Sequence, residues 1–271
     1  MGSLLVCCFV LAYLIIAAVS EELKNSCQCG VEASSNPLHY SPWLVLLEFY
    51  RRGQYTEFRC GGTLIDNRHV VTAAHCIRKV KHHRMLIRLG EYNMVTKVDC
   101  VDGVCADPII RASVGRVFVH PDYGGREHDI AIIRLKNEVP CTDFIRPICL
   151  PSAKLDSFAI FDATGWGEEV STGLYSPVKK IIPLPLWSYN ECREVYKNDV
   201  IPSSVICAGG IKGMDTCRGD SGGPLVYQKR FIELYGVTSL GPTQCGREGA
   251  PGIYTSVVDH LDWIHEVLGV T

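Results

Sequence analysis

Residues 213–224 read Gly-Met-Asp-Thr-Cys-Arg-Gly-Asp-Ser-Gly-Gly-Pro, and no other stretch constrains the fold of this 271-residue chain as much. It crowds a serine, two aspartates and a cysteine among glycines. Glycine is dense where the backbone must take angles that a β-carbon forbids, or must approach a ligand closely. A serine held on such a turn presents its hydroxyl, but a free hydroxyl is a poor nucleophile and needs an adjacent base. Two upstream stretches supply one: Thr72-Ala73-Ala74-His75-Cys76 and His128-Asp129-Ile130-Ala131-Ile132.

Alone, residues 219–224 are a tight turn, and they also fit G-x-S-x-G, the nucleophile turn of α/β-hydrolases. In those enzymes the acid and the histidine follow the serine. Here they precede it, and only fifty residues follow Ser221, too few for the rest of such a sheet. The order His75, Asp129, Ser221 resembles that of the chymotrypsin/trypsin family of serine proteases, and the resemblance covers nearly all of Cys29 to Thr271. It implies an all-β fold of two six-stranded antiparallel β-barrels with a C-terminal α-helix and the site in the cleft between them. The first barrel is expected at about 43–150 and the second at about 151–271. The implied roles are Ser221 as nucleophile, His75 as base, Asp129 as the group that orients the imidazole, and the Gly219 and Ser221 N–H groups as oxyanion hole.

Composition agrees with a globular domain: 47% apolar, 21% charged, net charge −2. The balanced charge gives no reason to expect nucleic acid or membrane as a partner. Leu4 to Ala18 is an unbroken apolar run, short for a membrane span, and Ala18-Val19-Ser20 has the small-x-small form of a cleavage site. A signal peptide over 1–20 and secretion follow as expectations, with 21–42 a short pro-like segment before the peptidase domain at 43–271.

Beyond the leader stand twelve cysteines: Cys27, Cys29, Cys60, Cys76, Cys100, Cys105, Cys141, Cys149, Cys192, Cys207, Cys217 and Cys245. An even set of this size in a secreted chain reads as disulfides, and no Cys/His spacing fits the usual zinc patterns. The resemblance implies Cys60–Cys76, Cys192–Cys207 and Cys217–Cys245. Cys100 and Cys105 are close enough for a small local loop. Cys149 is expected to tether the upstream segment through Cys27 or Cys29, with Cys141 taking the other.

Short alternating runs punctuated by Gly, Pro and Asn predict many strands. Trp43 to Phe49 reads as a buried strand. Met85, Ile87 and Leu89 alternate, as do Val117 and Val119, and Ala131, Ile133 and Leu135. One helix is predicted at the end, where Val257, Leu261, Ile264 and Leu268 share a face, with Ser256 as cap and Asp259 in the first turn.

The resemblance assigns specificity residue by residue. Asp215, six positions before Ser221, matches the base of the primary pocket, where a carboxylate attracts Arg or Lys. Thr216, Ser239, Gly241 and Gly252 line it, and the two glycines leave room for a long side chain. Leu240 departs from the aromatic residue usual in the family. Gly90-Glu91-Tyr92-Asn93 followed by Asp99-Cys100 and Cys105-Ala106-Asp107-Pro108, with His120-Pro121-Asp122-Tyr123, resembles the arthropod clip-domain serine proteases, although the clip domain's own cysteines are absent. Glu91 matches a calcium ligand of the family, but calcium needs six to eight oxygens, and no metal or other cofactor is expected. Residues 78–84, Arg-Lys-Val-Lys-His-His-Arg, form a basic loop that reads as a solvated face, with an exosite as the sharper alternative. There is no N-glycosylation sequon.

The expectation is therefore a secreted, monomeric endopeptidase that cuts proteins after Arg or Lys, in an extracellular cascade of the innate-immune kind, with serpin-type inhibitors as partners. One feature opposes it. Family members are activated by cleavage after Arg or Lys before an Ile/Val-rich start, and the new ammonium pairs with the aspartate beside the nucleophile, here Asp220. Between Glu21 and Trp43 the one basic residue is Lys24, and Cys29-Gly30-Val31 stands where such a start belongs. The alternative is a zymogen-locked or non-catalytic homologue with a poorly formed oxyanion hole, because an unpaired buried charge is expensive.

Overall fold

The computed structural model describes residues 27–51, 54–153, 155, 158–197 and 199–270. The apolar run at 4–18 and Lys24 lie outside them. Fourteen strands are formed among the described residues: β1 Leu44–Arg51, β2 Gln54–Leu64, β3 His69–Thr72, β4 Met85–Leu89, β5 Cys100–Val101, β6 Val104–Cys105, β7 Ile110–Val119, β8 Ala131–Leu135, β9 Ile160–Gly165, β10 Lys180–Trp187, β11 Val205–Gly209, β12 Pro224–Gln228, β13 Ile232–Leu240 and β14 Pro251–Ser256. They close into two antiparallel barrels, ordered β1-β2-β3-β8-β7-β4 and β10-β11-β14-β13-β12-β9, while β5 and β6 make a small separate ribbon.

The first barrel closes around an apolar interior. In β4, Met85, Ile87 and Leu89 are buried, and β4 pairs with β1 so that Ile87 faces Leu47 across the ladder. Fully burying such a side chain contributes roughly 1.5–3 kcal/mol. In β8 the alternation fails: Ile132 is as buried as Ala131, Ile133 and Leu135. Both faces of this strand are covered, and Ile132 shares one apolar cluster with Val226, Leu234 and Val237 of the second barrel and with Val257 and Ile264 near the C-terminus.

Three α-helices are present among the described residues: α1 Ala74–Ile77, α2 Tyr189–Val195 and α3 Leu261–Leu268. The predicted C-terminal helix starts later than its periodicity suggests, because Val258–His260 winds as a 3₁₀ turn. The Ser256 hydroxyl accepts the Asp259 N–H at 3.3 Å at its entrance. Helix α2 was not expected, since its one fully buried side chain is Cys192 and no apolar face announces it. A capping box does: Ser188 accepts the Glu191 N–H, and the Glu191 carboxylate accepts the Ser188 N–H.

Six disulfides link the described residues. Cys60–Cys76, Cys192–Cys207, Cys217–Cys245 and Cys100–Cys105 join segments near in sequence, and Cys29–Cys149 and Cys27–Cys141 bind the N-terminal segment. Gly30 extends the Cys29–Cys149 tether: its N–H donates to the Pro147 carbonyl, and its own carbonyl accepts the Ile232 N–H. At φ 67° a β-carbon there would lie 2.4 Å from the Ile232 oxygen, so only glycine fits.

Candidate active site

His75 lies on α1, just after β3, and Asp129 stands two residues before the start of β8, the strand paired with β3. This pairing brings the two together across 54 residues. Asp129 is fully buried. Its Oδ1 accepts the His75 N–H at 2.8 Å, and its Oδ2 accepts from His75 Nδ1 at 2.7 Å and from the Ser239 hydroxyl at 2.5 Å. An ionised carboxylate can only accept, so Nδ1 carries the imidazole proton and Nε2 is left as the basic nitrogen. The Thr255 hydroxyl donates to the Asp129 carbonyl at 3.0 Å. Sequence reasoning placed Ser239 on the pocket wall and missed its bond to Asp129; nothing in a linear motif announces it.

His75 and Ser221 line one cleft of about 720 Å³. Among the described residues no hydrogen bond joins the Ser221 hydroxyl to His75 Nε2, as is common before substrate tightens such contacts. The same cleft is walled by Lys79, Lys81 and Arg84 of the basic loop.

The nucleophile loop is held from several sides. The Glu168 N–H donates to the Arg218 carbonyl, the Gly61 N–H to the Ser221 carbonyl, and the Gly222 N–H to the Thr238 carbonyl, all at 2.7–2.8 Å. In a trans peptide the carbonyl and the following N–H point opposite ways. With the Arg218 carbonyl turned to Glu168, the Gly219 N–H faces away from it. Among the described residues neither the Gly219 nor the Ser221 N–H has a protein acceptor. Gly219 sits at φ 99°, and a β-carbon there would meet the Tyr175 ring at 2.8 Å.

Asp220 is buried beneath this loop. Its Oδ1 accepts the Gly167 N–H at 2.8 Å and its Oδ2 the Cys217 N–H at 3.0 Å. Burial raises its pKa to about 6; these two N–H bonds work against the rise, and nearby Asp215 adds to it. The sequence leads to the expectation of a poorly formed oxyanion hole around an unpaired buried charge. In the structure two backbone donors hold the Asp220 carboxylate, and among the described residues no cation pairs with it.

Asp215 is also buried, with one oxygen accepting the Gly246 N–H at 3.1 Å and the other, Oδ1, without a hydrogen-bond partner. Burial lifts its pKa to about 6. A cavity of about 340 Å³ is lined by Asp215, Asp220, Gly165, Gly167 and Ser176. A second, of about 320 Å³, is lined by Ser221, Ser239, Leu240, Gly241 and Cys245. Thr216 borders both, its hydroxyl bonded to the Tyr254 hydroxyl at 2.9 Å. A side chain at Gly241 would enter open space, whereas one at Gly252 would strike Tyr254 at 2.9 Å. The first glycine keeps a pocket open and the second permits packing.

Glu91 does not stand among free oxygens. It pairs with Arg88, and the half-buried Lys179 sits in the field of Glu32, Glu91 and Asp99. Burial lowers the Lys179 pKa to about 8 against the pull of these acids. Its ammonium donates to the Tyr40 carbonyl at 2.5 Å. Two protein cations thus occupy the acidic surroundings of Glu91, and the residues do not fit an oxygen cage for calcium.

Known proteins match this arrangement. The family described as Trypsin matches residues 30–264. The chain is 37% identical to Phenoloxidase-activating enzyme 1 of Spodoptera litura, over 89% of this chain and 69% of that protein. It is 37% identical to CLIP domain-containing serine protease B10 of Anopheles gambiae, over 92% and 75%. Among solved structures, the Drosophila Grass clip serine protease of the Toll pathway superposes with a TM-score of 0.79 at 31% identity, covering 90% of this chain and 75% of that one.

Proposed function

Since the chain belongs to the trypsin family of serine proteases, we propose that it is a secreted endopeptidase that cuts proteins after Arg or Lys in an extracellular cascade. The observation that carries the specificity is Asp215, a buried carboxylate with one unpartnered oxygen that lines the cavity of about 340 Å³; the next residue, Thr216, borders both that cavity and the one beside Ser221. A cationic side chain would satisfy it, and an apolar one would leave a buried charge bare. Six disulfides favour an oxidising compartment, and the relatives' names point to a melanization or Toll-type cascade.

In this reading the Ser221 hydroxyl attacks the scissile carbonyl carbon while His75 Nε2 takes its proton. The imidazolium is stabilised by Asp129, whose Oδ2 the Ser239 hydroxyl also holds. The carbonyl oxygen becomes an oxyanion met by the Gly219 and Ser221 N–H groups. His75 then passes its proton to the leaving amine, the C–N bond breaks, and water repeats the sequence on the acyl-enzyme. The test is hydrolysis of a peptide library. Cleavage after Arg or Lys that falls on the order of 10⁶-fold in Ser221→Ala is expected. A preference for aromatic residues, or turnover retained in Ser221→Ala, would overturn the assignment.

A second reading has one observation behind it. Among the described residues Asp220 has only backbone donors and no cation. A chain in that state is a zymogen-like or regulatory homologue with low turnover until a cation reaches Asp220.

A further inference from the structure

Three histidines far apart in sequence meet behind Asp129. His120 follows the end of β7, His128 immediately precedes Asp129, and His260 ends the 3₁₀ turn before α3. One ring nitrogen from each lies within 4.8 Å of the other two. The rings of His120 and His128 stack with centroids 4.6 Å apart, and His260 stands edge-on to both at 5.2 Å. His120 and His260 are buried, while His128 is half-exposed and leaves a path to solvent. Another cluster, Cys60, His75 and Cys76, converges as well, but its two sulfurs are joined in a disulfide and offer no thiolate.

We propose that His120, His128 and His260 bind one divalent transition-metal ion of the zinc class, which fastens the C-terminal helix to the first barrel. The chemistry of His260 leads the argument. Its Nδ1 lies 2.6 Å from the Ser256 carbonyl, which can only accept, so Nδ1 bears the proton and the Nε2 lone pair is turned into the cluster. Metal-bound histidines are oriented in this way, with the second ring N–H donated to a carbonyl or carboxylate. His128 Nδ1 faces that lone pair at 3.0 Å. Ligands of a tetrahedral zinc ion with bonds of about 2.0–2.1 Å stand roughly 3.3 Å apart, so these two nitrogens need only a small opening to admit the ion in place of the proton between them.

His120 completes the set by turning out of its stack. The torsion that turns an imidazole is broad, the hydrogen bond it would release, the Asp122 N–H on His120 Nδ1, is long at 3.3 Å, and the ring would re-pack against Trp263, whose centroid lies 5.0 Å away. Water from the open side would fill the fourth position. The backbone supports the placement: His128 holds φ 51°, a left-handed conformation rare outside glycine, and it aims the ring at His260 while Asp129 points to His75. The ion would cross-link barrel strands to the turn that launches α3, so it would bind the native state alone and stabilise it.

Zn²⁺ affinity of the full chain is measured by competition with a chromogenic chelator, with Co²⁺ as a spectroscopic probe and Tm with and without Zn²⁺. One ion per chain is expected, with a raised Tm. His260→Gln and His128→Asn should each weaken binding by roughly tenfold or more and remove the Tm shift, while His75→Gln keeps both. Asparagine tolerates the left-handed backbone, so His128→Asn carries the test if His260→Gln does not fold. Binding that survives His128→Asn unchanged, or that vanishes in His75→Gln, would overturn the proposal.

Discussion

Asp215 shows how one side chain links pH to ligand. Its pKa near 6, raised by burial, exceeds the ordinary carboxylate value. The folded state therefore takes up a proton that the unfolded chain has already released, and stability declines as pH rises from about 4 to about 6. A cationic ligand reverses the sign by binding only the ionised form. We expect an aromatic amidine to raise the Tm more at pH 8 than at pH 5, its affinity weakening about tenfold for each unit below pH 6. Asp215→Asn should lose that response and, without ligand, be the more stable chain at pH 8. Calorimetry at the two pH values checks it; an amidine response independent of pH would contradict it. The site was legible here because a carboxylate at a fixed distance before the nucleophile is a linear feature. Its missing hydrogen bond was not, because that depends on which backbone N–H groups the fold leaves nearby.

At the level of elements, the nucleophile loop is a junction between barrels. The Gly61 N–H of β2 holds the Ser221 carbonyl, and Gly222 is inserted beside β3. A β-carbon at Gly222 would lie 2.3 Å from the Thr72 hydroxyl oxygen and 2.6 Å from the Gly61 carbonyl oxygen, at φ 78°. Gly222→Ala thus combines a left-handed alanine, roughly 1–2 kcal/mol, with overpacking of about 1–3 kcal/mol. We expect a loss of ~2 kcal/mol or more by denaturant unfolding, and an unchanged midpoint would refute it. The glycines of residues 213–224 were readable as a loop that no other residue could build. That two of their partners sit on β2 and β3 was not, since strand pairing across barrels leaves no local trace. Helix α2 is the converse case: its capping box is local, but without an apolar face the periodicity stays silent.

For the molecule as a whole, the proposal of a zymogen-like state turns on the cavity between the two buried acids. It adjoins both Asp215 and Asp220 and has room for a small apolar side chain. A free dipeptide beginning with isoleucine carries an ammonium and such a side chain. Added at millimolar concentration at pH 8, where Asp220 is ionised, it should raise Arg-amide turnover several-fold, with no response in Asp220→Asn. High turnover without the dipeptide, unaffected by Asp220→Asn, would show that the loop needs no cation and would remove the zymogen-like reading.

The sequence by itself determined the family and the two-barrel fold, and it singled out His75, Asp129 and Ser221 as candidates, because order and spacing along a chain are one-dimensional facts. It also fixed that twelve cysteines pair. Only the tertiary structure decided that Cys29 joins Cys149 and Cys27 joins Cys141, that Ser239 holds Asp129, that Asp220 rests on two backbone amides, and that His120, His128 and His260 converge. Apart from Asp220 on the Cys217 N–H and His120 on His128, these contacts join residues separated by tens to more than a hundred positions. Such contacts follow from barrel closure, and closure is a property of all the strands together.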